Sequence, residues 1–122
     1  MVTTIGIILT LCVAFEHLFI LWIEMFAWET AGKKTFKSIP EDLFKSTKGL
    51  AANQGLYNGF LSAGLLWSFW ISDANWTQNI RIFFLLCVII AGTYGAITAS
   101  RKIFVLQALP AIIALVFVLL TS

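Results

Sequence analysis

Two carboxylic acids and an imidazole stand where hydrocarbon is the rule. Glu16, His17 and Glu24 all fall inside an apolar stretch running from Thr3 to Trp28. A carboxyl group beside an imidazole can relay a proton, accept hydrogen bonds from a polar ligand or balance a cation. In a helix, at about 100° per residue, His17 and Glu24 differ by only about 20° around the axis. Leu21 and Trp28 complete that stripe. Glu16 sits on its shoulder, about 100° from His17 and about 80° from Glu24. An acid at the centre of a membrane helix costs roughly 2.5–3.5 kcal/mol. Both glutamates are therefore expected to be uncharged or paired with groups on other helices.

A second apolar stretch supplies hydrogen-bonding partners: Asn53, Gln54, Tyr57 and Asn58, with Ser62 further along. Gln54, Asn58 and Ser62 form one stripe at helical spacing, and Gly55, Gly59 and Ala63 form a small-residue stripe beside it that lets another backbone come close. A third stretch carries Ala91, Gly92, Gly95, Ala96 and Ala99, with Tyr94 and Thr98 among them. In a fourth, Gln107 precedes Pro110, which frees a carbonyl near position 106 for another partner. The candidate ligand-binding set is thus Glu16, His17, Glu24, Asn53, Gln54, Tyr57, Asn58, Tyr94 and Gln107. With a single histidine and no second ligand set, no metal is expected. No phosphate loop, nucleophile elbow or zinc spacing occurs, so no cofactor is expected either. No Ser or Cys is placed with a base at a recognisable spacing, which disfavours nucleophilic catalysis.

What positions these groups follows from composition. Of 122 residues, 60% are hydrophobic and 11% charged, and the mean hydropathy is +0.93. Soluble domains average roughly 45–50% apolar and about 25% charged residues. The chain is too poor in charge to build a water-facing exterior, which excludes an ordinary soluble domain, a disordered chain, a collagen-like repeat and a nucleic-acid module. Crossing a hydrocarbon core of about 30 Å takes about 20 mostly apolar residues, and four such runs are predicted at 3–28, 50–72, 80–100 and 103–121. Barrel strands are shorter and alternate, so the spans are expected to be helices. The expected architecture is an all-α, integral membrane four-helix bundle, one transmembrane domain over 1–122 with antiparallel up-down topology. The first run lacks a basic flank and a small-residue cleavage site, and it carries three ionisable groups. It is expected to be a retained span rather than a signal peptide.

Lys33, Lys34, Lys37, Lys45 and Lys48 lie between the first two spans, and Arg101 and Lys102 between the last two, leaving Arg81 alone on the other side. The positive-inside rule puts loops 29–49 and 100–102 in the cytoplasm and both termini outside. Trp28 is expected at the cytoplasmic boundary and Trp70 and Trp76 at the outer one, with Trp22 and Trp67 further in. Ser38-Ile39-Pro40-Glu41 has capping-box spacing. With Leu43 and Phe44 as an apolar edge, it predicts a short interfacial helix over 39–48 lying on the leaflet. Asp73–Asn79 reads as an exposed turn and 100–102 as a tight hairpin. Cys12 and Cys87 fall inside spans as small hydrophobes.

Counting about 1.5 Å per residue from the cytoplasmic ends puts Glu24, Asn58, Tyr94 and Gln107 about 6–12 Å deep, and Glu16 and His17 at roughly 17–18 Å. The outer half is nearly pure hydrocarbon. Together these depths predict a polar pocket opening toward the cytoplasm, with the acid–histidine pair at its floor.

Glu16-His17-Leu18-Phe19, Glu24-Met25-Phe26-Ala27-Trp28 and Asn53-Gln54-Gly55-Leu56-Tyr57-Asn58-Gly59-Phe60 resemble a family of small bacterial inner-membrane proteins catalogued as domain of unknown function 1304. The resemblance covers the whole chain. It implies a bacterial, four-span, multi-pass protein of the cell membrane without a soluble domain, and it implies no activity.

Three functions fit these residues. The first is binding or transport of a small polar or amphipathic ligand, or a proton, in the pocket. The second is cofactor-free acid–base isomerisation of a lipid-soluble substrate by Glu16, His17 and Glu24. The third is a structural role in a larger membrane complex. Membrane lipids are expected partners, nucleic acid is not, and the Gly55/Gly59/Ala63 and Gly92/Gly95/Ala96/Ala99 faces suit a homo-oligomer.

Overall fold

The computed structural model describes residues Met1–Thr121, and every regular element among them is helical. Helix α1 spans Val2–Phe26, a short α2 follows at Ala31–Thr35, and α3 and α4 span Lys48–Trp67 and Ala74–Thr98. The last helix, α5, runs over Arg101–Leu120 and is interrupted by a π turn at Phe104–Ala108. Helices α1, α4 and α5 are long and apolar enough to cross a bilayer. Helix α3 has 20 residues, but Asn53, Gln54, Tyr57 and Asn58 crowd its first half and dilute its apolar character.

Helix α4 begins at Ala74, so the expected exposed turn at Asp73–Asn79 is instead the helix's first turn and a half. The reason is a cap: Asp73 adopts extended backbone geometry and its carboxylate accepts the Trp76 N–H at 3.0 Å. A side-chain acceptor at that position satisfies an otherwise orphaned backbone donor. The π turn of α5 also has a local cause. Pro110 sits in the first turn of the α segment that follows, and its ring and missing N–H disfavour a regular α turn just before it.

The chain divides into two compact units, Glu16–Phe60 and Met1–Phe15 with the residues from Leu61 onward. The division falls inside the continuous helices α1 and α3. In the second of these units, Val13, Ala14, Leu65, Leu85, Val88, Ala111, Ala114 and Val118 form the buried core. Helix α4 packs along α5 through glycine. A Cβ on Gly92 would lie 2.8 Å from the Ala108 backbone nitrogen in the π turn, and one on Gly95 would lie 3.0 Å from Ile103 Cγ2. Buried hydroxyls in this unit are satisfied by backbone carbonyls: Ser62 Oγ on α3 donates to the Ala14 carbonyl of α1 at 2.8 Å, and Thr10 Oγ1 donates within α1 to that of Gly6 at 2.7 Å.

The Glu16–Phe60 unit has its own core of Ile23, Trp28, Phe44 and Ala51, bordered by Ala31, Phe36 and Ile39. Two expectations change here. Trp28 is not a boundary anchor: its ring is buried 4.8 Å from that of Phe44 and 5.4 Å from that of Phe36. Its indole N–H donates to Thr47 Oγ1 at 3.0 Å. Phe44 is not a membrane-facing edge either, since it is fully buried. The segment 39–48 consequently folds as a 3-10 turn at Glu41–Leu43 flanked by Pro40, with no side-chain cap, rather than as one amphipathic helix. Burying a phenylalanine stabilises by about 1.5–3 kcal/mol, more than a capping box contributes. Gly32 makes room for the ring pair, because a Cβ there would lie 3.1 Å from Trp28 Cε3. The lysines stay outside, and Lys48 pairs with Glu29 at 3.4 Å on the surface.

Candidate functional site

All the ionisable groups that drew attention in α1 lie within the Glu16–Phe60 unit. His17 and Glu24 are both buried, and Glu16, off their stripe, is half-buried. From α3, Asn58 Nδ2 donates to Glu24 Oε1 at 2.7 Å and also approaches the Gln54 carbonyl at 3.3 Å. An amide donor on a buried carboxyl is worth about 0.5–1.5 kcal/mol when the acid is neutral and about 1.5–3 kcal/mol when it is charged. It also fixes where the second oxygen points.

Asparagine is a short side chain, and it reaches α1 only because the helices nearly touch. A Cβ on Gly55 would lie 2.7 Å from Met25 Cγ, 3.0 Å from Glu24 Cβ and 3.3 Å from the Leu21 carbonyl oxygen. One on Gly59 would lie 2.6 Å from Leu21 Cδ1. The small-residue stripe of α3 is therefore filled by α1 of the same chain, as Gly92 and Gly95 are filled by α5. At these glycines the faces expected to serve a second copy are already occupied, and Ala63 and Ala99 are what remains exposed of the two stripes. Gly55 and Gly59 are positioning residues that the sequence showed as a spacing but not as part of the site.

Glu16 is the unusual member. Its Oε1 is buried and has no hydrogen-bond partner among the described residues. His17 Nδ1 lies 3.9 Å away, beyond hydrogen-bond reach. Leaving a buried acceptor unmade costs about 1–3 kcal/mol, so the arrangement is poised for a donor.

The structure thus pairs Glu24 with Asn58 and sets Glu16 beside His17, the two pairs standing about 10 Å apart along α1 at 1.5 Å per residue. It leaves Asn53, Gln54 and Tyr57 on exposed positions of α3, with the Tyr57 ring edge-on to Phe60 at 5.7 Å. Tyr94 and Gln107 belong to the other unit, Tyr94 exposed on α4 and Gln107 half-buried in the π turn. Among the described residues no three His, Cys, Asp or Glu side chains converge as a metal site. The cluster can accept hydrogen bonds, exchange protons and hold one small donor group.

A family model described as protein of unknown function (DUF1304) matches residues 11–119. The uncharacterized protein YpaA of Lactococcus lactis subsp. lactis (strain IL1403) is 36% identical over 118 residues, covering 93% of this chain and 96% of that protein. No solved structure matches. The match takes in Glu16, His17, Glu24, Asn58 and both glycines that seat α3 on α1, and with it the chain belongs to the DUF1304 family.

Proposed function

We propose that this chain is a membrane protein that binds or transports a small polar or amphipathic ligand, or a proton, at the Glu16–His17–Glu24 cluster. One observation carries the reading: among the described residues, a buried carboxylate oxygen of Glu16 lacks a donor beside the buried His17. Glu24, two turns further along α1, has one, from Asn58. Ionisable groups inside apolar helices are costly and are retained where they act. Glu24 with Asn58 forms the fixed wall, Glu16 accepts the hydrogen bond of a hydroxyl or amine, and His17 stands within a short proton step of it.

Helix α3 enters the membrane as the fourth span, because Leu50, Leu56, Phe60 and Trp67 are large, apolar and exposed, an array that water penalises and lipid accepts. The lysine-rich loop 29–49 and the Arg101-Lys102 hairpin face the cytoplasm, with both termini outside, in a bacterial inner membrane. Native mass spectrometry of protein released gently from its own membrane tests the reading. Wild type is expected to carry a defined extra mass that Glu16→Gln and Glu24→Gln lose. Identical bare protein in all three samples, each folded, sinks the ligand reading, and proton uptake into vesicles that both substitutions leave unchanged sinks the proton reading.

A further inference from the structure

At the other end of α4 from Tyr94 stands a cation that the proposed pocket does not use. Arg81 lies two turns into α4, roughly 10 Å along the axis from Ala74 at 1.5 Å per residue. Its surroundings hold it still. The Nε–H donates to Ser68 Oγ at 2.9 Å, and the guanidinium carbon lies 4.2 Å from the centre of the Phe69 ring. Ser68 is itself buried and anchored, its hydroxyl donating to the Leu65 carbonyl at 2.6 Å. Nothing neutralises the charge: Arg81 takes part in no ion pair among the described residues. The nearest acid along the chain, Asp73, spends its carboxylate on the Trp76 backbone N–H.

A guanidinium carries five N–H donors in a planar fork. With Nε committed to Ser68 and one face covered by Phe69, the free edge is the terminal Nη pair. That edge binds two oxygens of one phosphate side by side. An arginine inside an apolar helix is otherwise drawn toward the headgroup layer to find such a partner. Trp70 and Trp76, large exposed indoles at this end of the same unit, mark that layer.

We propose that Arg81, oriented by Ser68 and Phe69, is a binding site for a phosphate anion at the membrane boundary, at the end of α4 away from Arg101 and Lys102. The occupant is the phosphate of an anionic lipid headgroup or a free phosphate; the chemistry of recognition is the same. This site is independent of the Glu16–His17–Glu24 cluster.

The test is native mass spectrometry of the full chain from nanodiscs holding equal phosphatidylglycerol and phosphatidylcholine. Wild type is expected to retain one phosphatidylglycerol in preference to phosphatidylcholine. Arg81→Gln lowers that retention by about fivefold, as expected for one basic group at a lipid surface. Arg81→Lys keeps charge without the fork and falls between them. Ser68→Ala leaves the charge in place and releases its orientation, and it too falls between, which keeps the proposal testable if Arg81→Gln fails to fold. In a second arm, inorganic phosphate is titrated into wild type in uncharged detergent. Displacement of the retained lipid by phosphate assigns the site to free phosphate, and undiminished lipid assigns it to the headgroup. Equal phosphatidylglycerol retention by wild type, Ser68→Ala and Arg81→Lys overturns the proposal.

Discussion

Removing the Asn58 side chain is the most informative single perturbation of the cluster. Asn58→Ala takes away the 2.7 Å donor to Glu24 Oε1 and leaves a buried acceptor unmade, a loss of about 1–3 kcal/mol in a dry site. Part of that is recovered in the membrane, where the unfolded helices also find partners, and measured interhelical couplings average about 0.6 kcal/mol with a maximum near 1.7. The bond here is short, its acceptor is a carboxyl group, and Glu24 is 4% exposed. The expected coupling therefore lies in the upper part of that range, about 1–1.7 kcal/mol. The assay is a double-mutant cycle of Asn58→Ala and Glu24→Met, read by reversible unfolding in mixed micelles with tryptophan fluorescence as the signal. Methionine keeps the length of the glutamate and removes both oxygens. A coupling within about 0.3 kcal/mol of zero, the range for independent sites, would refute the claim that this bond holds α3 to α1.

Other outcomes follow from the same packing. Gly55→Ala places a methyl 3.0 Å from Glu24 Cβ and 3.3 Å from the Leu21 carbonyl oxygen. It should destabilise by about 1–3 kcal/mol and abolish the Asn58–Glu24 coupling in the same cycle. Gly49→Ala, with nothing within 4 Å of the added carbon, should be neutral or stabilise by up to about 1 kcal/mol. Phe44→Ala empties the ring contact with Trp28 and should cost about 3–5 kcal/mol, seen as much faster protease cleavage within 29–49. Unchanged cleavage would mean that the aromatic core does not order this segment. In a background free of Cys12 and Cys87, Lys37→Cys should react with a membrane-impermeant maleimide only in inverted vesicles. Reaction in intact cells would reverse the proposed orientation.

Each of the four apolar runs overlaps one long helix. The ends are set more locally: α3 stops at Trp67, short of the run that continues to position 72, and α4 starts at Ala74 because of the cap at Asp73, a single-residue effect that hydropathy hides. Depth put Glu24 and Asn58 at one level, together with Tyr94 and Gln107, but did not single out the hydrogen bond between the first two. Which polar residue of α3 meets Glu24 was not legible from spacing either. Asn53, Gln54, Tyr57 and Asn58 occupy several faces of one turn and a half, and only the Gly55–Gly59 stripe, read as a contact with α1, selects Asn58. The burial of Trp28 on Phe44 was likewise hidden, because both residues also suit a membrane boundary and the choice is made by a tertiary contact through Gly32. The orphaned oxygen of Glu16 depends on rotamers and is beyond any spacing argument.

The central claim, that α1 presents a chemically available carboxyl cluster inside the membrane, is tested most directly by labelling. Native membranes are treated with a hydrophobic carbodiimide, which reacts with carboxyl groups reached from the lipid phase, and modified peptides are identified by mass spectrometry. Glu16, whose Oε1 has no hydrogen-bond partner among the described residues, is expected to react first. Glu24 is expected to react slowly in wild type and faster in Asn58→Ala. Absence of modification at both glutamates, while the exposed Glu41 in the same membranes reacts with a water-soluble carbodiimide, would contradict it.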